Sequence, residues 1–500
     1  MAKIDGLKRP QKQKPAAVAK ATPDFSARAW TAAAAAILAT SALLCFYDLA
    51  LKPLHHDEGV NGNFLLRLLR EGYYHYDPAN YHGPTLYYFA LLVVRVTGLS
   101  DASVRIITGL FGVATVALVL GMRRLIGKRE ALAAAALVAL SPGAVFYSRY
   151  FIHEILFVFF TLVVALCAWQ AWQRRDPLYI PVGAIAAAFL FATKETALVS
   201  CVVLALAVGT QALWVRLRGF KPDPPPQPRP GLARYALIGA AGFAAVFVLL
   251  YSSFFTNAKG IHDALSSLSI WTKTGFSMEF YPKYAYLTWM WREEWPLLVT
   301  AIVGGAVALW IRPAGFAAFA AIWAAGQFAV YTLIPYKEPW LALNFTIPAA
   351  IAAGSGAVRL WERRRWLWLV GAALAGVLVF ETIQLNFVHY DDNDEPYVYM
   401  HTTREVKLLM YDIDAAAARL GKGYATDIAI LSPEYWPLPW YLRDYTRVGY
   451  WGHLVDTSAP IVICSKEQAW DLKDRLGPAY QFVRFYDLRP AVTLALFTRK

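Results

Sequence analysis

Apolar runs of about 20 residues recur along this chain, each bounded by Arg or Lys, and they restrict its fold more than any other feature. At about 1.5 Å per residue, one such run crosses the ~30 Å hydrocarbon core of a bilayer as a helix. A helix satisfies its own backbone hydrogen bonds there, where no water can. Of the 500 residues, 58% are hydrophobic, with 18 Trp and 28 Tyr, a balance that excludes a soluble globular protein. The formal charge of +13 therefore reports membrane orientation first. It is spread over span ends rather than gathered on one soluble face, so nucleic acid is rejected as a partner. Cys45, Cys167 and Cys201 lie in apolar runs and Cys464 in a polar region, so no disulfide framework is expected.

The first run, 29–51, follows a basic tail, 1–28, that should stay cytoplasmic; without a clear cleavage site it reads as an uncleaved anchor. Basic punctuation at Arg123, Arg124, Lys128 and Arg129, at Arg174 and Arg175, from Arg216 to Arg234, at Arg312 and from Arg359 to Arg365 is assigned to the same side. About eleven spans follow, at 29–51, 103–122, 130–147, 151–172, 178–193, 196–215, 233–254, 296–311, 314–334, 340–358 and 366–388. Crossing by the short apolar segment Pro84–Gly98 would put Arg123 and Arg124 on the wrong side. It is therefore expected to be re-entrant or surface-lying, partnered by the amphipathic stretch Val60–Arg70 with Phe64, Leu65, Leu68 and Leu69 inward.

The organisation expected is a tail, a transmembrane domain over 29–389 and an extracytoplasmic domain over 390–500. The transmembrane part includes a first outer loop, 52–102, a stiff Pro-rich cytoplasmic linker, 217–232, and an outer loop, 255–295. Asp391-Asp392-Asn393-Asp394-Glu395 marks the switch to polar sequence. Beyond it, helices near 402–420, 439–444 and 466–476 alternate with strands at 425–431, 460–464, 480–487 and 491–498, a small α/β domain. It carries no phosphate loop, metal-ligand spacing or nucleophile motif, and reads as a cap or acceptor-binding module.

This topology gathers acids, bases and cations on one face: His55-His56-Asp57-Glu58, Tyr81-His82, Arg149 with His153 and Glu154, Lys194 with Glu195, and Tyr336 with Lys337 and Glu338. Such convergence is what a binding or catalytic cavity at the lipid boundary requires. Plainer roles stand beside it: acids at a helix N-terminus, a structural ion pair of His153 and Glu154 with Arg149, and snorkelling Lys194 and Lys337.

These residues resemble the GT-C superfamily of membrane glycosyltransferases, which use polyprenyl-phosphate-linked sugars. In its protein O-mannosyltransferase and aminoarabinose-transferase branch an Asp-Glu follows the first span, a Pro-containing turn opens a surface helix, and a Tyr-Ser-Arg segment precedes a second acid. Asp57-Glu58, His82-Gly83-Pro84-Thr85-Leu86-Tyr87-Tyr88 and Tyr147-Ser148-Arg149 with His153-Glu154 are similar. Ala192-Thr193-Lys194-Glu195 and Pro335-Tyr336-Lys337-Glu338-Pro339-Trp340 resemble its later outer loops. Trp436-Pro437-Leu438-Pro439-Trp440-Tyr441-Leu442-Arg443 resembles a subgroup named for an archaeal protein associated with flipping lipid-linked sugar in N-glycosylation. His82-Gly83-Pro84 departs from the Lys-Pro-Pro frequent in the aminoarabinose-transferase branch, so the lysine contact to phosphate is missing there and protonated His82 would substitute for it only in part.

The resemblance implies a GT-C-like multi-pass plasma (inner) membrane protein of the cell envelope, N-terminus cytoplasmic and C-terminal domain periplasmic or extracellular. The expected reaction is sugar transfer from a polyprenyl-phosphate donor to a lipid, glycan or protein acceptor at the outer face, with inversion. Membrane lipids and the donor are the expected partners. Sugar leaving a lipid phosphate calls for a base at the acceptor and cations at the phosphate. Asp57 is assigned as base, with Glu58 and Glu154 as further catalytic acids. Arg149, Lys194, Lys337, His82 and Tyr336 are assigned to the donor phosphate or lipid, and His55, His56, His153 and Tyr81 to substrate positioning. His55, His56, Asp57, His153 and Glu154 are ligand types for a divalent cation, but adjacent residues do not all reach one centre, so no metal is assigned. The alternative is a translocator or non-catalytic accessory in lipid-linked sugar flipping or glycan assembly.

Overall fold

The computed structural model describes residues 26–80, 82–174, 176–221, 230–277 and 281–500. Tyr81, the basic tail to residue 25 and the Pro-rich stretch 222–229 lie outside the described residues.

Among the described residues fifteen α-helices build the membrane part, beginning with α1 (Ala27–Phe46), α2 (His56–Glu71), α3 (Thr85–Thr97), α4 (Asp101–Gly121) and α5 (Lys128–Ala139). Next come α6 (Pro142–Ser148), α7 (Glu154–Arg174), α8 (Tyr179–Phe191), α9 (Ala197–Leu217) and α10 (Leu232–Tyr251). The last are α11 (Lys259–Ser277), α12 (Ala285–Ile311), α13 (Phe316–Leu333), α14 (Leu343–Arg363) and α15 (Leu367–Ile383). Among the described residues nine helical segments are long and apolar enough to cross a bilayer. Two of the eleven expected spans differ from a simple rod. The segment 130–147 is the pair α5 and α6, bent by 62° where Ser141 caps the second helix and Pro142 opens it. The 178–193 segment yields only the 13 residues of α8, ~20 Å of helix.

Two expected boundaries also move. Helix α12 starts at Ala285, inside the segment read as an outer loop, and kinks at Glu294 (φ −150°, ψ 40°) before Pro296. Helix α3 is 13 residues, again ~20 Å, as a short surface or re-entrant helix would be. Its partner α2 buries Phe64, Leu65, Leu66 and Leu68 and stops at Gly72, whose φ of +79° suits glycine.

Helix α14 lies at the centre: 89% of its span is buried, against 6% for α10. Small residues allow this, since a Cβ on Gly354 would stand 2.3 Å from the Ala134 nitrogen of α5. At one end of the bundle Arg129 pairs with Glu362 at 3.5 Å and Arg359 with Glu130 at 3.4 Å. Trp30, near the start of α1, donates to the Lys128 carbonyl at that same end.

The C-terminal part carries α16 (Glu405–Arg419), α17 (Leu438–Tyr441) and α18 (Ala469–Leu476) around strands β1 (Asp427–Ile430), β2 (Arg447–Tyr450), β3 (Ile461–Ser465), β4 (Tyr480–Arg489) and β5 (Val492–Arg499). Their order is β2-β1-β3-β5-β4, parallel across β2, β1 and β3 and antiparallel from β3 onward. Alternation along the strands feeds two cores. Ile428, Ile430, Ile461 and Ile463 face Leu409 and Ile413 of α16, while Ala429, Leu431, Val462 and Cys464 face Ala469 and Leu472 of α18. Edge strand β2 is an addition to the elements read from the sequence, and the helix expected at 439–444 is the single turn α17.

Candidate functional site

At the end of the bundle opposite Trp30, the start of α2 and the connections α2–α3, α6–α7, α8–α9 and α13–α14 meet around a cavity of about 190 Å³. Asp57, His82, His153, Glu154, Lys194, Glu195, Tyr331, Tyr336 and Trp340 line it.

Asp57 stands in the first turn of α2 with its side chain 41% exposed. His55 caps the helix: its Nδ1 accepts the Asp57 N–H at 3.1 Å, which leaves Nε2 to carry the proton toward the Tyr399 carbonyl at 3.1 Å. Burial pushes the His55 imidazole down to about 4, against the nearby Asp57 carboxylate. Both ring nitrogens are thus engaged. Among the described residues no three His, Cys, Asp or Glu side chains converge as metal ligands, and the set His55, His56, Asp57, His153 and Glu154 is not assembled into a metal centre.

Glu58, next in sequence, faces away from the cavity. Its carboxylate takes a two-pronged bond from Arg105 of α4, Nε to Oε1 at 2.7 Å and an Nη to Oε2 at 2.6 Å, and both side chains have 0% exposure. The other guanidinium donors reach the carbonyls of Leu49, Lys52 and Pro53, while Glu58 also accepts the N–H groups of His55 and Phe151. Burial raises the Glu58 carboxyl, but Arg105 and Lys52 outweigh it and hold the group below its ordinary range. Glu58 therefore holds the α1–α2 connection to α4 and to the α6–α7 connection.

The turn before α3 is pinned to the α8–α9 connection. Gly83 N–H donates to Thr193 O at 3.1 Å and Thr85 N–H to Ala192 O at 3.0 Å, and a Cβ on Gly83 would stand 2.1 Å from the Ala192 carbonyl oxygen. The glycine of His82-Gly83-Pro84 is a close-approach residue, and it sets His82 Nδ1 3.1 Å from Glu195 Oε2. His153, its Nε2 3.2 Å from Gly83 O, lies beside His82 with ring centroids 4.9 Å apart. Burial, then His82 and Lys194, push His153 well below its ordinary range. Lys194 donates to Glu154 Oε2 at 2.7 Å, and Asn344 of α14 donates to Glu154 Oε1. Burial opposes the Lys194 charge, but Glu154 and Glu195 raise the ammonium above its usual value.

Besides Glu58 and His55, three more of the sequence-nominated residues lie off the cavity wall. Arg149 closes the C-terminal end of α1, donating to the carbonyls of Leu44, Tyr47 and Asp48 at 3.1, 2.5 and 2.9 Å. Lys337 is buried and donates to the Ile334 carbonyl at 2.6 Å; its neighbour Tyr336 lines the cavity, and it does not. His56 faces the C-terminal part, 6.3 Å from the Trp436 ring. Conversely, Glu195, Asn344, Tyr331, Trp340 and Glu338 belong to the site or its wall without having been nominated. The Glu338 carboxyl is closed off from solvent at Oε2. Burial first and Asp57 second push that carboxyl well above its ordinary range. In the sequence it appears only as one of the acids gathered on that face and as part of the Pro335–Trp340 segment, with no role of its own.

The sequence model of the dolichyl-phosphate-mannose-protein mannosyltransferase family matches residues 81–222. No curated protein matches. Among solved structures, ArnT from Cupriavidus metallidurans in the apo state is similar with a TM-score of 0.66 at 13% identity, over 93% of this chain and 98% of that one. The same protein bound to undecaprenyl phosphate gives 0.63 at 14%, over 94% and 98%. The Archaeoglobus fulgidus oligosaccharyltransferase in complex with Zn and sulfate gives 0.55 at 13%, over 87% and 68%. With its bundle of apolar helices, its loops converging at one end and its C-terminal sheet domain, the chain has the fold of ArnT and of the archaeal oligosaccharyltransferase.

Proposed function

We propose that this protein is a glycosyltransferase that moves a sugar from a polyprenyl-phosphate donor to a lipid, glycan or protein acceptor, with Asp57 as general base. The observation that carries the reading is a half-exposed carboxylate at the rim of a cavity whose interior holds a buried, charged Lys194. Undecaprenyl phosphate bound to ArnT, a protein of the same fold, supports a lipid phosphate as the group that enters. Asp57 takes the proton of the acceptor hydroxyl or amine as its heteroatom bonds to the anomeric carbon. The bond from that carbon to the phosphate oxygen breaks, and its electron pair leaves with the polyprenyl phosphate. One displacement inverts the anomeric centre. Lys194, held by Glu154, and His82, held by Glu195, supply the phosphate side, with Tyr336 and His153 beside them and Tyr81 as a further positioning residue. Glu58 acts by holding α2.

In the membrane the basic end of the bundle faces the cytoplasm and the cavity with the C-terminal domain faces outward. The Trp436–Arg443 segment, similar to the flippase-associated subgroup, favours a second reading in which the chain translocates lipid-linked sugar or assists its assembly. Asp57→Asn separates the two. Sugar transfer is expected to fall at least 100-fold while undecaprenyl phosphate still binds. Unaltered transfer would overturn the assignment of the base.

A further inference from the structure

The Trp436–Tyr441 corner of the C-terminal part stands against α2, the helix that carries Asp57. Gly59 and Gly62 lie one turn apart on α2 and present a face without side chains. A Cβ on Gly59 would meet Pro437 Cβ at 2.4 Å, and one on Gly62 would meet the Trp440 ring at 2.5 Å. Trp440 is 0% exposed, and its indole N–H donates to Asp101, at the start of α4, at 2.7 Å. The Tyr441 hydroxyl donates to the same carboxylate at 3.2 Å and accepts the Leu54 N–H, just before α2, at 2.8 Å. Near the other end of α2, Arg70 donates to the Arg443 carbonyl at 3.1 Å. From behind the corner, Arg489 of β4 donates to the Trp436 carbonyl at 2.8 Å and pairs with Glu434. Helix α2 is therefore seated at both ends and along its glycine face.

We infer that the C-terminal domain is a positioning element of the site: its Trp436–Tyr441 corner, seated on Gly59 and Gly62, sets where the Asp57 carboxylate stands against the cavity. The catalytic importance of that position rests on Asp57 being the base. Asp57 is two residues from Gly59, so a shift of α2 on this contact moves the carboxylate directly. A displacement of about 1 Å in a reacting group costs on the order of 100-fold in rate. Packing alone would make the corner a stability feature. Positioning makes it control residue 57 in protein that remains folded.

The test uses the full chain in nanodiscs with Asp57→Cys as a reporter, labelled by a water-soluble methanethiosulfonate. Gly62→Ala pushes against the Trp440 ring and Trp440→Phe vacates that space, so each is expected to change the labelling rate at position 57 at least threefold. Their combination should lie nearer the reference rate than either alone. Trp470→Ala, at an exposed side chain of α18, should leave it unchanged. In the Asp57 background the same two single variants should lower turnover with an undecaprenyl-phosphate sugar at least tenfold and leave undecaprenyl phosphate binding unchanged. Folded single variants with an unaltered labelling rate, or a double variant no nearer the reference, would overturn the inference. Labelling reads the position of residue 57 whatever the reaction is, so failure of Asp57 as base would show in the Asp57→Asn experiment and not here.

Discussion

Two adjacent carboxylates, Asp57 and Glu58, have opposite fates because consecutive residues on a helix point about 100° apart. One opens on the cavity; the other meets Arg105, 47 positions along the chain, with all five guanidinium N–H groups engaged. A buried ion pair adds little relative to an apolar replacement, but removing one partner leaves a buried charge unanswered. Arg105→Met should therefore destabilise the protein by about 3–5 kcal/mol, read as a lower unfolding midpoint in detergent. Adding Glu58→Gln should recover part of the loss, since the orphaned charge is then gone; additive losses would show that the pair is not coupled.

Among the elements, α14 bears most of the packing, and its contact with α5 depends on Gly354 lying against the Ala134 backbone. Gly354→Val forces two helices apart that meet at backbone distance. A loss of about 1–3 kcal/mol is expected, measured as thermal unfolding of the purified protein. The same helix delivers Asn344 to Glu154, so retained stability with lost activity would mean that the shift is absorbed at the cavity end. The bend between α5 and α6 has a local cause in Ser141-Pro142, and it carries the chain toward Arg149, which closes α1.

Across the whole molecule, the cavity end is built on neutral imidazoles. His55, His153 and His401 are buried, and burial is the first cause that pushes each below its ordinary range. A depressed histidine stabilises the fold above its unfolded value of about 6.5 and loses that contribution as pH falls through the folded value. For His55 the window runs from pH 6.5 down to about 4, worth on the order of 3 kcal/mol. Unfolding midpoints should fall across that window, and His55→Gln should flatten the fall; an unchanged slope would remove His55 as its source. Lys194 has the opposite sign: raised above its model-peptide range, it loses its contribution only as pH rises through its folded value, well above neutrality.

Residue identity and spacing alone determined the multi-helix membrane character, the presence of a small C-terminal α/β part and most of the loops that supply the polar groups. These follow from local physics: a 20-residue apolar run has one way to satisfy its backbone in lipid, and alternation in a strand names its two faces. Only the tertiary structure decided which polar group faces what. Arg149 and Lys337 had the charge and the loop position of phosphate ligands, yet each is engaged by backbone carbonyls, because a cation near a helix end also answers carbonyls that the helix leaves open. Asn344 and Arg105 carried no motif; their roles come from long-range neighbours that no spacing encodes. The Trp-Pro-Leu-Pro-Trp corner was legible as a rigid feature, but its seat on two glycines of α2 exists only once residues 62 and 440 are folded together.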